Sequence, residues 1–475
     1  MTTLPRKAAP GAALRPAASS ARDANSQAAG ASASHAEGQR AIHLGVAGLG
    51  RAFTLMLPTF SADPRVRLVA AADPRAEACA RFRQDFNAAA HSSIDALCAD
   101  PNVDVIYLAT PHQYHAEHVR IAAAHGKHVL VEKPMAVTLE QCRAMIAAVR
   151  AAKVHLIVGH SHSFDAPILR ARAIIASGAL GAVRMINAQY YTDFMYRPRR
   201  PEELDTAQGG GVLFSQAAHQ IDIVRLLSGG MATTVRAHSG AWHPARAAPG
   251  GRPAEGAYSA LIGFGGSGSS GGGPDGGESD GGAPATSFAS VSYNGYGYYD
   301  SDELCDAIGE LGMPKALANT SPYRSGRAKL GNTPDGAAEA QAKAARNYGG
   351  THYAPPTAIA PHHQHFGHLL VSCERGDIKP GPRTVTVYGD DARTVEELPA
   401  PLIPRVEVID ELYAAVVNGV APLHDGAWSM ATLEVCLAML ESARSGREVT
   451  LHHQVPVPAV PAVPAVPAVP VARAP

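Results

Sequence analysis

The chain has 475 residues, 41 basic and 42 acidic side chains, and a formal net charge of -1 at pH 7. This balance excludes a global field that attracts nucleic acid or an anionic membrane surface, and no run approaches the ~20 apolar residues that span a bilayer. The six cysteines are scattered without a C-x-x-C pair. They indicate reduced thiols of a cytoplasmic protein, not a disulfide framework or a zinc site.

Composition divides the chain into four parts. We predict a disordered extension at 1–40, a dinucleotide-binding domain at 41–160, an α+β substrate and oligomerisation domain at 161–452, and a disordered tail of Pro, Val and Ala at 453–475. A Gly-rich stretch at 265–282 lies between two β-like runs and predicts a long hairpin loop within the third part.

The first predicted strand, Ala41–Ala47, leads into Gly48-Leu49-Gly50, and a helical pattern begins near Ala52. This order is typical of a dinucleotide site, where glycines let the backbone approach a diphosphate and a helix N-terminus supplies N–H donors. Phe53 replaces the third glycine of G-x-G-x-x-G. The pattern assigns cofactor binding to Gly48, Gly50, Arg51 and Ala52.

The second predicted strand, Val66–Ala72, ends at Asp73, which follows Gly50 by 23 residues. An acid at this distance is expected to accept hydrogen bonds from the adenosine ribose, which favours NAD. Arg75 offers an alternative, because a guanidinium there can bind the 2′-phosphate of NADP.

Further strand–helix units follow along the chain. A strand at Val103–Ala109 ends in Thr110-Pro111, a helix covers His115–His125, and the strand Val129–Val131 ends in Glu132-Lys133-Pro134. Alternation at this pace predicts a doubly wound parallel sheet, an α/β Rossmann domain. Ligands of such sheets bind beyond the carboxyl ends of the strands. We therefore also assign cofactor contacts to Thr110, Pro111, His115, Glu132 and Lys133.

The second half has a different texture and predicts an α+β domain with a largely antiparallel open sheet. Its candidate strands are Val183–Thr192, Thr233–His238, Tyr258–Phe264, Ser287–Tyr293 and Thr384–Tyr388. Its candidate helices are Phe214–Leu227, Arg405–Val417 and Trp428–Ser445. The open face of the sheet is expected to form a homo-oligomer, a dimer or a tetramer.

Three glycines, Gly209–Gly211, precede a helical pattern on which Ser215, His219 and Asp222 share one face. A neutral imidazole beside a nucleotide cleft can take the proton of an alcohol as hydride leaves the same carbon. The alternative is a buried His–Asp pair that only orients the helix.

The order of the Gly-x-Gly turn, Thr110-Pro111, Glu132-Lys133-Pro134 and His219-x-x-Asp222 resembles the Gfo/Idh/MocA family of NAD(P)-dependent oxidoreductases over roughly Ile42–Leu451. The resemblance implies that Lys133 binds and polarises a substrate hydroxyl and that His219 is the base. Ser215 stands where many sugar- and inositol-oxidising relatives carry an aspartate.

The segments Tyr190–Gln208 and Phe214–Gln220 are similar to the phthalate 4,5-cis-dihydrodiol dehydrogenase branch of that family. This implies oxidation of a carboxylated aromatic cis-dihydrodiol. Arg197, Arg199 and Arg200 would bind carboxylates bidentately, and Tyr190 would wall a planar ring. The alternatives are a sugar or cyclitol dehydrogenase and a non-catalytic NAD-binding regulatory protein. No metal site is predicted.

Overall fold

Two β-sheets organise the chain. The structure is a computed structural model that describes residues 40–159, 161–242, 247–248, 252–253, 255–266, 287–315, 336–355 and 359–458. The predicted N-terminal extension, nearly all of the Gly-rich loop and most of the C-terminal tail lie outside these residues.

The first sheet has six parallel strands in the order β3-β2-β1-β4-β5-β6. They are β1 Ile42–Ala47, β2 Val66–Ala72, β3 Ala89–His91, β4 Val105–Leu108, β5 His128–Val131 and β6 Leu156–Val158. The helices between them are α1 Arg51–Ala62, α2 Ala76–Phe86, α3 Ile94–Cys98, α4 His115–Ala124 and α5 Leu139–Ala152. The predicted Rossmann fold is confirmed, and the strands read as continuous apolar runs because both faces of the sheet are buried.

The second sheet has nine strands in the order β16-β15-β14-β13-β7-β12-β11-β8-β17. They are β7 Val183–Tyr191, β8 Gly230–Gly240, β11 Ala257–Gly266, β12 Ser287–Asn294, β13 His368–Cys373, β14 Gly376–Pro380, β15 Thr384–Tyr388, β16 Arg393–Glu397 and β17 Val449–Thr450. All neighbours pair antiparallel except β7 and β12, which run parallel. The largely antiparallel sheet is confirmed. The short strands β9 Ala247–Ala248 and β10 Arg252–Pro253 pair separately.

The described residues of this half also form five α-helices. They are α6 Ala166–Ala176, α7 Ala218–Leu227, α8 Gly336–Ala344, α9 Val406–Val416 and α10 Gly426–Ser445. Helix α9 buries Val408, Ile409 and Leu412 against the Rossmann core. Helix α10 contacts both α5 and α7. These contacts bring the carboxyl ends of the parallel strands close to the first turn of α7.

The first described residues of the predicted tail are ordered. We predict disorder from residue 453, but the backbone N–H of His453 donates to the Glu434 carboxylate at 2.9 Å, and Gln454 donates to the same group. Val455 and Val457 pack against the core of the second sheet. Apolar Val–Pro residues extend that core before the repeat proper begins.

In the described residues no helix is both long enough and apolar enough to cross a bilayer. The same residues contain no group of three or more His, Cys, Asp or Glu side chains arranged to hold a metal ion.

Candidate active site

The turn after β1 has a backbone that a ligand can approach closely. Gly48 has a φ of +91°, and a Cβ there would lie 2.8 Å from the carbonyl oxygen of Ala109, so only glycine fits. A Cβ at Gly50 would meet no heavy atom within 4 Å. Helix α1 begins at Arg51, and its first N–H groups have no partner within the helix. The open turn and the helix N-terminus together fit a diphosphate.

Phe53 explains the missing third glycine. Its fully buried ring packs against Phe82 and Tyr348, with centroids 6.1 and 5.3 Å away. A glycine at this position usually allows close packing of helix and strand. Here an aromatic ring fills the space between α1, α2 and the segment around Tyr348.

Asp73 lies at the end of β2 as predicted, but its carboxylate is already engaged. Oδ2 accepts from the Leu49 N–H at 2.7 Å and from Arg75 Nη2 at 3.2 Å, and Oδ1 accepts from the N–H and Nε of Arg75 at 2.9 and 3.0 Å. A carboxylate offers about four acceptor positions. In this arrangement Asp73 fixes the glycine turn and leaves no acceptor for a ribose hydroxyl.

Arg75, which could bind the 2′-phosphate of NADP, already donates hydrogen bonds to three residues. Besides Asp73, its Nη2 donates to the Leu49 carbonyl at 2.8 Å and its Nη1 to the Tyr348 carbonyl at 3.1 Å. Binding of a 2′-phosphate therefore requires this guanidinium to leave both carbonyl oxygens.

His115 is buried beneath the site and does not line it. Its Nε2 lies 2.9 Å from the Thr110 carbonyl oxygen and its Nδ1 lies 3.1 Å from that of Pro134. Burial lowers the pKa of His115 to about 4. The structure does not bear out the predicted cofactor contact of His115, because the ring lies between the segments that follow β4 and β5 and, when neutral, donates its single N–H to one of their two carbonyl oxygens.

Lys133 follows β5, at the carboxyl edge of the parallel sheet. Its ammonium donates to the Ser215 carbonyl oxygen at 2.6 Å. Burial lowers the pKa of Lys133 to about 8, and Arg199 and Arg405 contribute in the same direction. Lys133 is therefore a cation at neutral pH that loses its proton more easily than a solvated lysine.

His219 lies in the first turn of α7, directly after a π-helical turn at Leu213–Ala217. Its ring is 6% exposed and packs against His162 and Phe366, with centroids 4.8 and 5.0 Å away. His219 and Lys133 line the same cavity of about 660 Å³. One group that follows a strand of the parallel sheet and one group from helix α7 therefore line the same space beside the glycine turn.

The predicted face of Ser215, His219 and Asp222 is wrong for Asp222. Ser215 lies in the π turn, whose i→i+5 bonds do not keep the 3.6-residue spacing behind the prediction. Asp222 is 4% exposed and points away from the cavity, where it accepts from Trp428 Nε1 at 2.6 Å and Thr432 Oγ1 at 2.8 Å. Helix α10 thus packs against the face of α7 that carries Asp222.

A buried polar chain continues from Asp222. Ser163 Oγ donates to Asp222 and lies 2.7 Å from His424 Nε2, and His424 Nδ1 lies 2.8 Å from Glu411 Oε2. The His424 ring stacks on Phe164 with centroids 3.6 Å apart. This chain ties α7 to the residue that follows His162.

His162 and Glu310 line the cavity, and no sequence motif singled them out as site residues. His162 Nδ1 lies 2.7 Å from Asp165 Oδ2 and its Nε2 lies 3.8 Å from Glu310 Oε1. Burial alone would lower the pKa of His162, but the two carboxylates outweigh it and raise the pKa. Burial acts in the opposite direction on Glu310, where His162 and Arg197 hold the pKa of the carboxyl well below its usual range.

Tyr190 and the arginine loop form the adjoining wall. The Tyr190 hydroxyl donates to Glu310 Oε2 at 3.3 Å. Arg197 lies 3.8 Å from Asp193 and 4.0 Å from Glu310, and Arg200 lies 3.2 Å from Glu202. The loop arginines therefore already have carboxylate neighbours.

The cavity brings most of the predicted site residues together. Those that line it are Arg51, Ala52, Thr110, Pro111, Glu132, Lys133, Tyr190, Arg197, Arg200, Ser215 and His219. Those that do not are Gly48, Gly50, Asp73, His115 and Asp222. The two glycines and Asp73 still build the turn at one end of the cavity, whereas His115 and Asp222 support it from behind.

Two family models match the chain. Residues 42–160 match the oxidoreductase family with an NAD-binding Rossmann fold, and residues 168–271 match the GFO/IDH/MocA C-terminal domain. The first match covers the glycine turn and the Lys133 edge, and the second covers His219.

Known proteins resemble most or part of the chain. The 1-carboxy-3-chloro-3,4-dihydroxycyclohexa-1,5-diene dehydrogenase of Comamonas testosteroni is 46% identical over 407 residues, which are 85% of this chain and 95% of that protein. A trans-1,2-dihydrobenzene-1,2-diol dehydrogenase of Mus musculus is 34% identical over 37% of this chain and 52% of its own length. The crystal structure of a putative dehydrogenase from Bordetella bronchiseptica RB50 is 36% identical, with a TM-score of 0.75, and covers 86% of this chain and 100% of its own. The chain therefore belongs to the Gfo/Idh/MocA family of NAD-binding oxidoreductases and is a dehydrogenase.

Proposed function

We propose that the chain oxidises a carboxylated aromatic cis-dihydrodiol to a dihydroxyaromatic, with NAD as the hydride acceptor. The observation that carries the proposal is that Lys133 and His219 line one cavity beside the glycine turn. The Comamonas testosteroni relative, which is named for a carboxylated dihydroxycyclohexadiene, supports the same substrate class.

In this proposal Lys133 and His219 are the catalytic residues. The Lys133 ammonium has three N–H groups, so it can keep its bond to the Ser215 carbonyl and donate to the substrate hydroxyl oxygen. Its charge stabilises the alkoxide character that develops as His219 takes the hydroxyl proton. Bound NAD supplies the acceptor for the hydride that leaves the same carbon. The ketone then tautomerises to the aromatic diol, which makes the oxidation strongly downhill.

Substrate carboxylates are assigned to Arg197 and Arg200. A guanidinium carries five N–H groups, so each has donors beyond its present ion pair. Tyr190, 2% exposed, supplies an aromatic wall, and Ser215 lies beside the Lys133 ammonium. A planar, anionic ring is the ligand that these groups complement.

The cofactor is assigned to the glycine turn and the strand ends. The residues in this part of the proposal are Gly48, Gly50, Arg51, Ala52, Thr110, Pro111, Glu132 and Lys133. Asp73 is placed behind the turn, where it fixes the Leu49 N–H.

Turnover against a substrate panel tests the proposal. With NAD, we expect kcat/KM for a carboxylated cis-dihydrodiol to exceed that for the uncarboxylated diol by about 10²-fold, because the uncarboxylated diol lacks the anions that the guanidinium groups of Arg197 and Arg200 would bind. Arg197→Gln should raise KM about 10-fold for the carboxylated substrate only. Arg150→Gln, an exposed position in α5, is the matched control. An unchanged KM in Arg197→Gln would contradict the carboxylate assignment.

A sugar or cyclitol dehydrogenase is the second candidate, and the polar pair His162 and Glu310 in the cavity wall favours it. The same panel separates the two, because a cyclitol enzyme turns over cyclitols and ignores dihydrodiols. NAD binding without turnover of any member would instead indicate the regulatory alternative.

We also propose that the chain forms a homodimer or homotetramer in the cytoplasm through the open face of the second sheet. Met231, Leu261 and Phe288 are 41%, 54% and 45% exposed on adjacent strands, and register places them on one face. Contiguous apolar surface of this kind marks an interface. Light scattering should give a multimeric mass that Leu261→Glu reduces; a monomeric mass for the unchanged chain would contradict the assignment.

A further inference from the structure

Three arginines that line the cavity differ from most of the other cations there. Nine arginine and lysine side chains face this space, and several lie against carboxylates. Within the described residues, Arg51, Arg346 and Arg405 have no carboxylate within 4.0 Å. Among the described residues, these three side chains therefore form a cationic cluster in the cavity wall that lacks a close carboxylate partner.

Arg405 makes the strongest case, because it is only 9% exposed. Its Nε donates to Gln364 Oε1 at 3.0 Å, and no acceptor among the described residues lies within hydrogen-bond distance of its two terminal nitrogens. The two terminal nitrogens therefore keep N–H groups that a ligand in the cavity can engage. The place of Arg405 in the cavity wall points to an anionic ligand.

The three side chains are spread along the length that a dinucleotide would occupy. Arg51 is the first residue of α1, directly after the glycine turn. Arg346 is two residues from Tyr348, whose carbonyl accepts from Arg75 at the end of β2. Arg405 lies near enough to Lys133 to contribute to its lowered pKa. The three side chains thus approach the diphosphate position from the glycine turn, from the adenosine side and from the nicotinamide side.

Mutual repulsion within the cluster supports this placement. Burial lowers the pKa of Arg51, and Arg346, Arg197 and Arg405 lower it further, whereas Glu310 acts in the opposite direction. Like charges at such range destabilise each other unless an anion lies between them. A diphosphate provides that anion and accepts paired guanidinium N–H bonds.

We propose that Arg51, Arg346 and Arg405 form a clamp for the diphosphate of the dinucleotide. The clamp rests on the cofactor site proposed above and adds two residues from far beyond the Rossmann domain. Arg346 lies in the segment after α8 and Arg405 at the start of α9. The Rossmann half alone therefore makes only part of the anion site, and the second half completes it.

Calorimetric titration of the full chain tests the clamp with two probes, NADH and ADP-ribose. ADP-ribose keeps the diphosphate and lacks the nicotinamide. We expect Arg346→Gln and Arg405→Gln to weaken the binding of both probes by roughly 10- to 100-fold. Arg150→Gln should leave both affinities unchanged. Arg346 is exposed, so its replacement tests the clamp even if the buried Arg405 is needed for folding.

Two results would overturn the clamp. Unchanged affinity for both probes in Arg346→Gln is one. The other is unchanged cofactor affinity with a raised KM for a carboxylated substrate, which would reassign the cluster to substrate carboxylates. Neither readout of cofactor affinity needs turnover, so a failure of the proposed substrate class stays distinct from a failure of the clamp.

Discussion

The two sides of the cavity are built in different ways. On the nucleotide side, Glu132 and Lys133 are consecutive residues at the end of one strand, and the glycine turn is a local motif at the end of another. On the opposite side, His162, His219 and Glu310 come from three separate segments. Parallel strands deliver chemistry to a common edge, whereas the opposite wall exists only after long-range packing.

Removal of Lys133 should lower kcat more than any other substitution considered. It tests the nucleotide side of the cavity, whose residues are neighbours in the sequence. We expect Lys133→Ala to lower kcat by about 10³- to 10⁴-fold, because a positioned cation at the reacting oxygen is lost. The affinity for NADH should stay within about 3-fold of that of the unchanged enzyme, because the substitution removes at most one weak hydrogen bond to the cofactor. Rates are measured by absorbance of the reduced cofactor. Near-normal turnover by Lys133→Ala would contradict the assignment of Lys133 as a catalytic residue.

Removal of His219 tests the assembled side and should cost somewhat less. We expect His219→Ala to lower kcat by about 10²- to 10³-fold at neutral pH. The deficit should shrink as pH rises, because hydroxide can replace the missing base. A pH–rate profile parallel to that of the unchanged enzyme would argue that the imidazole only packs against His162 and Phe366.

A pH titration compares the two sides without any substitution. Burial lowers the pKa of Lys133 to about 8, so the ammonium is present below that pH and absent above it. We expect kcat/KM to fall above pH 8 by about 10-fold per unit. In Lys133→Arg the guanidinium stays charged in this range, so its residual activity should lack this limb. The same limb in both enzymes would assign it to another group.

Substitution of Asp222 should have the smallest effect on kcat and a clear effect on the free energy of unfolding. Asp222→Asn places an amide N–H against the donors Ser163, Trp428 and Thr432. We expect the free energy of unfolding to drop by about 1–3 kcal/mol, measured from urea unfolding, with kcat reduced only a few-fold. A loss as large as that of His219→Ala at unchanged stability would restore the predicted catalytic face.

The fold was predictable where apolar runs and glycines leave local signals. Strands β1, β2 and β5 match their predictions within one or two residues, and so do α7 with its π turn, α9 and α10. The predictions omitted β13, β14 and β16, short strands whose partners are needed to distinguish them from loops.

The candidate site was predictable to the extent that it follows motifs. Lys133, His219 and the glycine turn could be read from order and spacing. Glu310 and Arg405 carry no motif, and their importance depends on which cations and carboxylates lie nearby in the folded chain. Asp222 was misassigned because a π turn is invisible to a 3.6-residue pattern.

The buried chain of Ser163, His424 and Glu411 has the distances of a hydrolytic catalytic triad. The direction of the hydrogen bond between Ser163 and His424 is the reverse of that in a triad. The Asp222 carboxylate only accepts, so Ser163 gives its single hydroxyl proton to Asp222 and not to the imidazole. With Ser163 0% and His424 1% exposed, a fluorophosphonate probe has neither an activated nucleophile nor a path to one. Triad geometry alone would thus misclassify this chain as an esterase or protease, and the hydroxyl's second acceptor corrects it.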